Sequence, residues 1–251
     1  MKTIGIIGGL GPMATVYYLE LITRMTDAER DQAHPRVLLF SLPDIPDRTA
    51  FILGNSTDDP LPVMTEAALA LQKDGAQLLS IPCITAHFFY DALVEHLNIP
   101  VLHLPRCVAQ DVAAKGIRKV GLLATSGTIQ SHVLEKEFAA AGVEVLVPDE
   151  DRQALVMQII YEQVKKGEPV NWESFRTVAS FLQERGAEKL ILGCTELPLL
   201  KKNLVSGGDG ADAEIEHILT RDCVDVLEVL AQHVVCEAGV PLREEYRNVI
   251  R

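Results

Sequence analysis

The feature that most limits what this chain can fold into is a repeat. Thr3-Ile4-Gly5-Ile6-Ile7-Gly8-Gly9-Leu10-Gly11-Pro12 aligns with Lys119-Val120-Gly121-Leu122-Leu123-Ala124-Thr125-Ser126-Gly127-Thr128, matching Gly5 to Gly121 and Gly11 to Gly127 at an offset of 116 residues. Each copy reads as a short apolar strand, a glycine turn and the start of a helix. Later in each half an apolar strand runs into a cysteine followed shortly by threonine. These units are Leu78-Leu79-Ser80-Ile81-Pro82-Cys83-Ile84-Thr85 and Lys189-Leu190-Ile191-Leu192-Gly193-Cys194-Thr195-Glu196, their cysteines 111 residues apart. Two coincidences at nearly one offset predict an internal duplication.

Around these landmarks short apolar runs alternate with longer amphipathic ones, the signature of βαβ units and a parallel sheet. Strands are expected at Thr3–Ile7, Val37–Ser41, Leu78–Ile81, Val101–Leu104, Lys119–Leu123, Glu144–Val147 and Lys189–Leu192. Helices are expected from Pro12 to about Ala28, at Pro60–Lys73, and at about Ala86–His96, Cys107–Lys115, Thr128–Ala141, Asp151–Lys166, Trp172–Arg185 and Ile215–Cys236. In the second of these, Asp59 is placed to cap, Pro60 suits the first turn and Gly75 ends the helix. Its Leu61, Met64, Ala68 and Leu71 form one apolar face that packs on the sheet.

A chain of 251 residues, 48% hydrophobic and 23% charged, can bury a large core in one or two domains. Its 35 acidic against 23 basic residues give a net charge of −12 with no basic block, so nucleic acid and anionic membrane are poor partners. The apolar run at Thr3–Ile7 is too short for a signal peptide, and no segment approaches the ~18 apolar residues of a membrane span; a cytoplasmic chain is expected. Five cysteines at long, irregular spacing, Cys83, Cys107, Cys194, Cys223 and Cys236, fit neither a disulfide framework nor zinc ligation. Any functional cysteine should act as a thiol, and no metal site is expected.

Ligands of open α/β sheets sit beyond the carboxyl ends of the strands, where Cys83 and Cys194 both fall, one per half. A lone cysteine at a strand end is more often a buried structural residue. Two in matched positions suit one chemistry in particular, in which one thiolate removes a proton from a tetrahedral carbon while the opposed thiol returns one to the other face. Cys107, Cys223 and Cys236 lie in helical patterns and read as structural. Gly8-Gly9-Leu10-Gly11-Pro12 opens a helix, yet Met13 stands where a dinucleotide fingerprint has its third glycine, and no Walker lysine follows. A small carboxylate or a purely structural turn remain as readings of that loop, and Ala124-Thr125-Ser126-Gly127-Thr128 offers hydroxyls at the equivalent helix start. Arg48 follows the second strand, where it can hold a carboxylate bidentately or stand as a surface arginine. Lys165-Lys166-Gly167 closes a helix, and His87 either braces its helix or tunes the Cys83 thiol.

Together these pieces resemble the cofactor-independent aspartate/glutamate racemases, and within them the aspartate racemases. The matching stretches are Ile6 through Thr15, Pro46-Asp47-Arg48-Thr49, Ile81-Pro82-Cys83 with Thr85-Ala86-His87, Ala124 through Thr128, Ile160-Tyr161 through Lys165, and Gly193-Cys194-Thr195-Glu196-Leu197-Pro198. The resemblance implies two similar Rossmann-like α/β lobes with parallel sheets, related by a pseudo-twofold, with the active site in the cleft between them. It implies a homodimer, no pyridoxal phosphate, and a cysteine from each lobe as base and acid. Carried over by position, Cys83 and Cys194 transfer protons, and Arg48 and Lys165 are the charged substrate ligands. Thr85, Thr125, Ser126, Thr128 and Thr195 line the carboxylate sites with backbone of Ile84 and Ala86, Met13 contacts the substrate, and Glu196 supports its neighbouring thiol.

The chain departs from that pattern twice. The family usually has Cys-Asn-Thr after the first of these strands, and here Ile84 replaces the asparagine. Leu204 through Asp212 stand where a short strand is common, so the return to the first lobe is expected as a loop. Lobe limits are set at 1–104 with 214–251, and 105–213. Two cations suit a short dicarboxylate, which favours aspartate; glutamate racemase, maleate isomerase or hydantoin racemase activity, or dicarboxylate binding without turnover, are the alternatives.

Overall fold

The computed structural model describes residues 1–205 and 211–249. It contains two parallel sheets built to one plan. In the first, β1 (Ile4–Gly8) lies between β2 (Val37–Ser41) and β3 (Leu78–Ser80); in the second, β4 (Lys119–Leu123) lies between β5 (Glu144–Leu146) and β6 (Lys189–Leu192), with β7 (Cys223–Asp225) beyond β6. The duplication therefore extends to strand order.

Helices cover both faces. The first half carries α1 (Pro12–Met25), α2 (Arg48–Ile52), α3 (Leu61–Lys73), α4 (Tyr90–Val94) and α5 (Leu104–Ala114). The second carries α6 (Ser126–Ser131), α7 (Val133–Ala140), α8 (Glu150–Gln158), α9 (Trp172–Glu184), α10 (Pro198–Val205), α11 (Ala213–His217) and α12 (Val226–Glu237). Met64, Ala68 and Leu71 of α3 are fully buried, as their spacing predicts, and Asp59 Oδ1 accepts the Leu61 N–H at 2.9 Å.

Buried strands of this kind use both faces, with alternate residues pointing opposite ways. Ile4 and Ile6 of β1, with Val120 and Leu122 of β4, enter one core shared by α1, α5, α7 and α12. Ile7 and Leu123 turn to separate outer cores under α3 and under α8 and α9. The matched Gly5 and Gly121 face those outer helices at close quarters: a Cβ on Gly121 would come within 2.8 Å of Leu182 Cβ. The last helix of each half of the sequence crosses to the other half, α5 packing on α7 and α12 on α1, while α5 and α12 pack together. This exchange makes the shared core continuous and sets the lobes face to face.

Several elements differ from expectation. The strand expected at Val101–Leu104 is a single parallel bridge, Leu79 to Val101, because Leu104 already opens α5, with Pro105 in its first turn and the His103 ring accepting the Arg106 N–H. The helix expected at Ile215–Cys236 breaks into α11, a π turn (Ile218–Asp222), β7 and α12. Asp225 ends β7 and caps α12 through Leu227 N and Glu228 N, and a short apolar run like this one does not distinguish strand from helix by periodicity. Thus Cys223 sits on a strand, and β7, inside the span assigned to the first lobe, pairs with β6 of the second. The helix expected over Thr128–Ala141 kinks at His132, whose φ of 52° interrupts it between α6 and α7. That expected at Ala86–His96 starts as a 3-10 turn (Thr85–Phe89) before α4. The expected Leu204–Asp212 loop lies partly outside the described residues; α10 runs to Val205 and α11 starts at Ala213.

Candidate active site

Between the carboxyl edges of the two sheets lies a small cleft, into which both lobes send the segments that follow their strands. The first lobe contributes Leu10, Asp47, Arg48, Thr49, Cys83, Ile84 and Thr85; the second contributes Thr125, Tyr161, Lys165, Cys194, Thr195 and Glu196. Cys83 and Cys194 thus line one space from opposite lobes, each buried. Both are free thiols.

The two thiols have different neighbours. Cys194 Sγ donates to Glu196 Oε2 at 2.8 Å, and Glu196 Oε1 lies 3.2 Å from Lys165 Nζ. Burial, then the Glu196 carboxylate, hold the Cys194 thiol well above its ordinary range, against an opposing pull from Lys165. Burial alone would lower Lys165, but Glu196, with Cys194, Tyr161 and Cys83 adding to it, overrides that effect and the ammonium is held more firmly than usual. Among the described residues no hydrogen bond joins the Cys83 thiol to a carboxylate, and Thr85 stands at the position equivalent to Glu196.

Arg48 is 8% exposed and follows the cap of α2, where Asp47 Oδ1 accepts the Ala50 N–H at 2.7 Å. Its guanidinium donates to Ile45 O, Pro46 O and Leu10 O, at 3.1, 2.9 and 3.4 Å, and its Nε is buried with no partner. Among the described residues no carboxylate pairs with it. A buried cation held only by carbonyls favours an incoming anion.

Four hydroxyls form a net across the lobe boundary: Thr49 to Thr125 at 3.1 Å, Thr85 to Thr128 at 2.8 Å and to Thr125 at 3.3 Å, and Thr125 to Thr128 at 3.1 Å. Opposite, the Tyr161 hydroxyl donates to Asp47 Oδ2 at 3.3 Å, and burial pushes its phenol up to about 12. Lys165 Nζ sits 4.9 Å from the Tyr161 ring centre. The helix carrying both widens into a π turn over Ile159–Val164, a distortion common where a helix serves a site.

Of the residues singled out in the sequence, Arg48, Cys83, Ile84, Thr85, Thr125, Lys165, Cys194, Thr195 and Glu196 meet in the cleft. Thr128 stands one hydrogen bond behind it. Ala86 is buried in the outer core of the first lobe, and Ser126 turns away, its Oγ accepting from Gln153 Nε2 and its N–H facing Met157 Sδ. Met13 is 61% exposed and lines a neighbouring groove that shares Lys165 and Glu196, because the first turn of α1 points outward. The Ile84 side chain belongs to the shared hydrophobic core. The glycine loop keeps its own donor: Gly9, at φ 87° with the backbone of Leu42 and Pro43 against its Cα, gives its N–H to Thr15 Oγ1. Leu10, Asp47, Thr49 and Tyr161 went unassigned in the sequence. Asp47 and Thr49 flank Arg48 and Tyr161 precedes Lys165 by one turn, and those positions were the available signal.

The profile of the Asp/Glu/hydantoin racemase family matches residues 7–217, and the chain belongs to that family. It is similar in structure to the aspartate racemase of Picrophilus torridus, with 29% identity, a TM-score of 0.82 and full coverage of both chains. It also resembles an aspartate racemase homologue from Pyrococcus horikoshii OT3, at 28% identity, TM-score 0.73, covering 95% of this chain and 100% of the other. By sequence it is 27% identical to the broad-specificity amino-acid racemase RacX of Bacillus subtilis (strain 168), over 77% of this chain and 85% of that one. It is 31% identical to a glutamate racemase of Deinococcus radiodurans, over 69% of this chain and 59% of that one. No described helix is long and apolar enough to cross a membrane, and no described cluster of His, Cys, Asp and Glu could hold a metal ion.

Proposed function

We propose that this chain racemises aspartate without pyridoxal phosphate, in the cytoplasm and as a homodimer, using Cys83 and Cys194 as opposed base and acid. The observation that carries the reading is that one cleft is lined by a thiol from each lobe. Cys194, a thiol donating to Glu196, is the proton donor of the resting form, and a Cys83 thiolate then takes the α-proton. The S–H bond forms at Cys83 as the Cα–H bond breaks; the carbanion takes the Cys194 proton on its other face, and the protonation states of the two sulfurs are exchanged. An α-proton of an amino acid is very weakly acidic, so charge on the carbanion must be met by fixed groups. Arg48, buried at the cleft, is placed to hold the α-carboxylate and draw that charge onto its oxygens.

Lys165 supplies the second cation for a short dicarboxylate, and the likeness to an aspartate racemase supports the same choice. Glutamate is the rival substrate, given the relatives by sequence. Pure protein incubated in D2O with L- or D-aspartate, and in parallel with each glutamate enantiomer, tests the reading. Inversion with α-deuteration of aspartate and no added pyridoxal phosphate is expected. Binding of aspartate with no α-exchange would overturn it, and faster exchange of glutamate would reassign the substrate. A monomeric mass in solution would overturn the dimer.

A further inference from the structure

His87 lies outside the cleft, 2% exposed, four residues beyond Cys83. Its Nδ1 is 2.8 Å from the Cys83 carbonyl, and its Nε2 is 3.1 Å from the Leu104 N–H. A carbonyl only accepts and a backbone N–H only donates, so one arrangement satisfies both: a neutral ring with its proton on Nδ1. Nε2 then carries no proton, and its 3.3 Å approach to Leu102 O is a contact without a hydrogen bond. The ring is a rigid strut between the Cys83 peptide and the first turn of α5.

We propose that His87 is a positioning residue for proton transfer, fixing the direction of the Cys83 thiol by holding the Cys83 carbonyl; this rests on the reading that Cys83 moves the α-proton. The Cys83 N–H is held by Ile81 O at 2.8 Å. With N–H and carbonyl both anchored beyond the end of β3, the backbone dihedrals of Cys83 are set, and the Cα–Cβ bond follows from tetrahedral geometry. The other end of the strut leads through α5 to α7 of the opposite lobe, so the thiol of one lobe is referenced to the wall of the other. The second lobe uses a different device. Pro198 stands where a counterpart of His87 would, and Cys194 is held at its sulfur by Glu196. Lysine and arginine have no acceptor and could not make both bonds.

Two substitutions separate the ends of the strut. His87→Asn keeps a donor near the Nδ1 position, and His87→Gln keeps an acceptor near the Nε2 position. If His87 positions Cys83, His87→Asn retains most of kcat. His87→Gln lowers kcat roughly ten- to a hundredfold with KM little changed, as expected for a reacting group moved by about an ångström. Peptide mapping after iodoacetamide should show an altered alkylation rate at Cys83 in His87→Gln and an unchanged rate at Cys194. Equal losses in both variants, or rescue by glutamine instead of asparagine, would reduce His87 to a structural pin on α5. Should His87→Gln not fold, His87→Asn decides alone: retained kcat at a lowered Tm supports positioning, and a tenfold or greater loss of kcat overturns it. Wild-type protein that exchanges no α-proton would overturn the racemase reading itself, a result distinct from variants that merely behave alike.

Discussion

Gly11 and Glu196 come from opposite lobes and touch: a methyl group on Gly11 would overlap Glu196 Oε1. Its partner in the duplication, Gly127, makes the reciprocal contact, where a Cβ would fall 2.8 Å from Thr49 Cα. At each of the matched glycines, therefore, a lobe's first turn meets the other lobe.

They should respond differently to alanine. Gly11 has φ −119°, which any residue adopts, and its neighbour is the end of a flexible side chain. Gly11→Ala should shift the Glu196 carboxylate, loosen its links to Cys194 and Lys165, and cost roughly ten- to a hundredfold in kcat at under about 1 kcal/mol of stability. Gly127→Ala presses on backbone and should cost roughly 1–3 kcal/mol. Activity assays and denaturant melts of both variants check the contrast; equal stability losses would contradict it.

If Cys83 and Cys194 are the two proton-transfer groups proposed, Cys83→Ala and Cys194→Ala should each reduce racemisation by roughly 10²–10⁴-fold. Optical rotation of aspartate over time reads this directly, and full activity in either variant would end the two-base assignment.

The pH response of Cys194 follows from its surroundings. Burial and Glu196 raise its affinity for a proton, so it stays a thiol through neutral pH and yields thiolate only in alkali. Its alkylation by iodoacetamide should still be climbing above ~8.5, where a free thiol is half ionised. Glu196→Gln removes the adjacent negative charge and should move the curve to lower pH. Rates mapped to the Cys194 peptide across a pH series test the sign; an unmoved curve would mean Glu196 does not govern the thiol.

Arg48→Lys should raise KM for aspartate by roughly tenfold or more. A lysine cannot keep bonds to Ile45, Pro46 and Leu10 carbonyls while presenting a forked donor to an anion. Saturation kinetics distinguish this from a loss confined to kcat.

Pro46-Asp47-Arg48-Thr49 shows how far a motif reads. Its position after the second strand was enough to bring Arg48 to the cleft, because strand ends face the ligand in any open α/β sheet. The cap made by Asp47 is local, but its bond to Tyr161 and the reach of Thr49 to Thr125 depend on the other lobe, more than seventy residues away in the chain. Met13 and Ser126 show the reverse: each sits in the right motif, but helix phase turns it from the cleft, and phase at a first turn is decided by packing.

By itself the sequence determined the local units. Near-continuous apolar runs made β1 and β4 strands buried on both faces, matched glycines announced the duplication, and cysteines at two strand ends marked the edge that lines the cleft. Tertiary structure decided what lies between distant segments. Cys223–Asp225 became a strand because β6 offered an open edge and Asp225 a cap for α12. The lobes share one core because α5 and α12 cross over. The two matched cysteines became unlike because Glu196 stands beside one and the His87 strut holds the other. Hydrophobic periodicity and turn chemistry act over a few residues, and the sequence displays them; a carboxylate set against a glycine of the other lobe arises only once the chain has closed on itself.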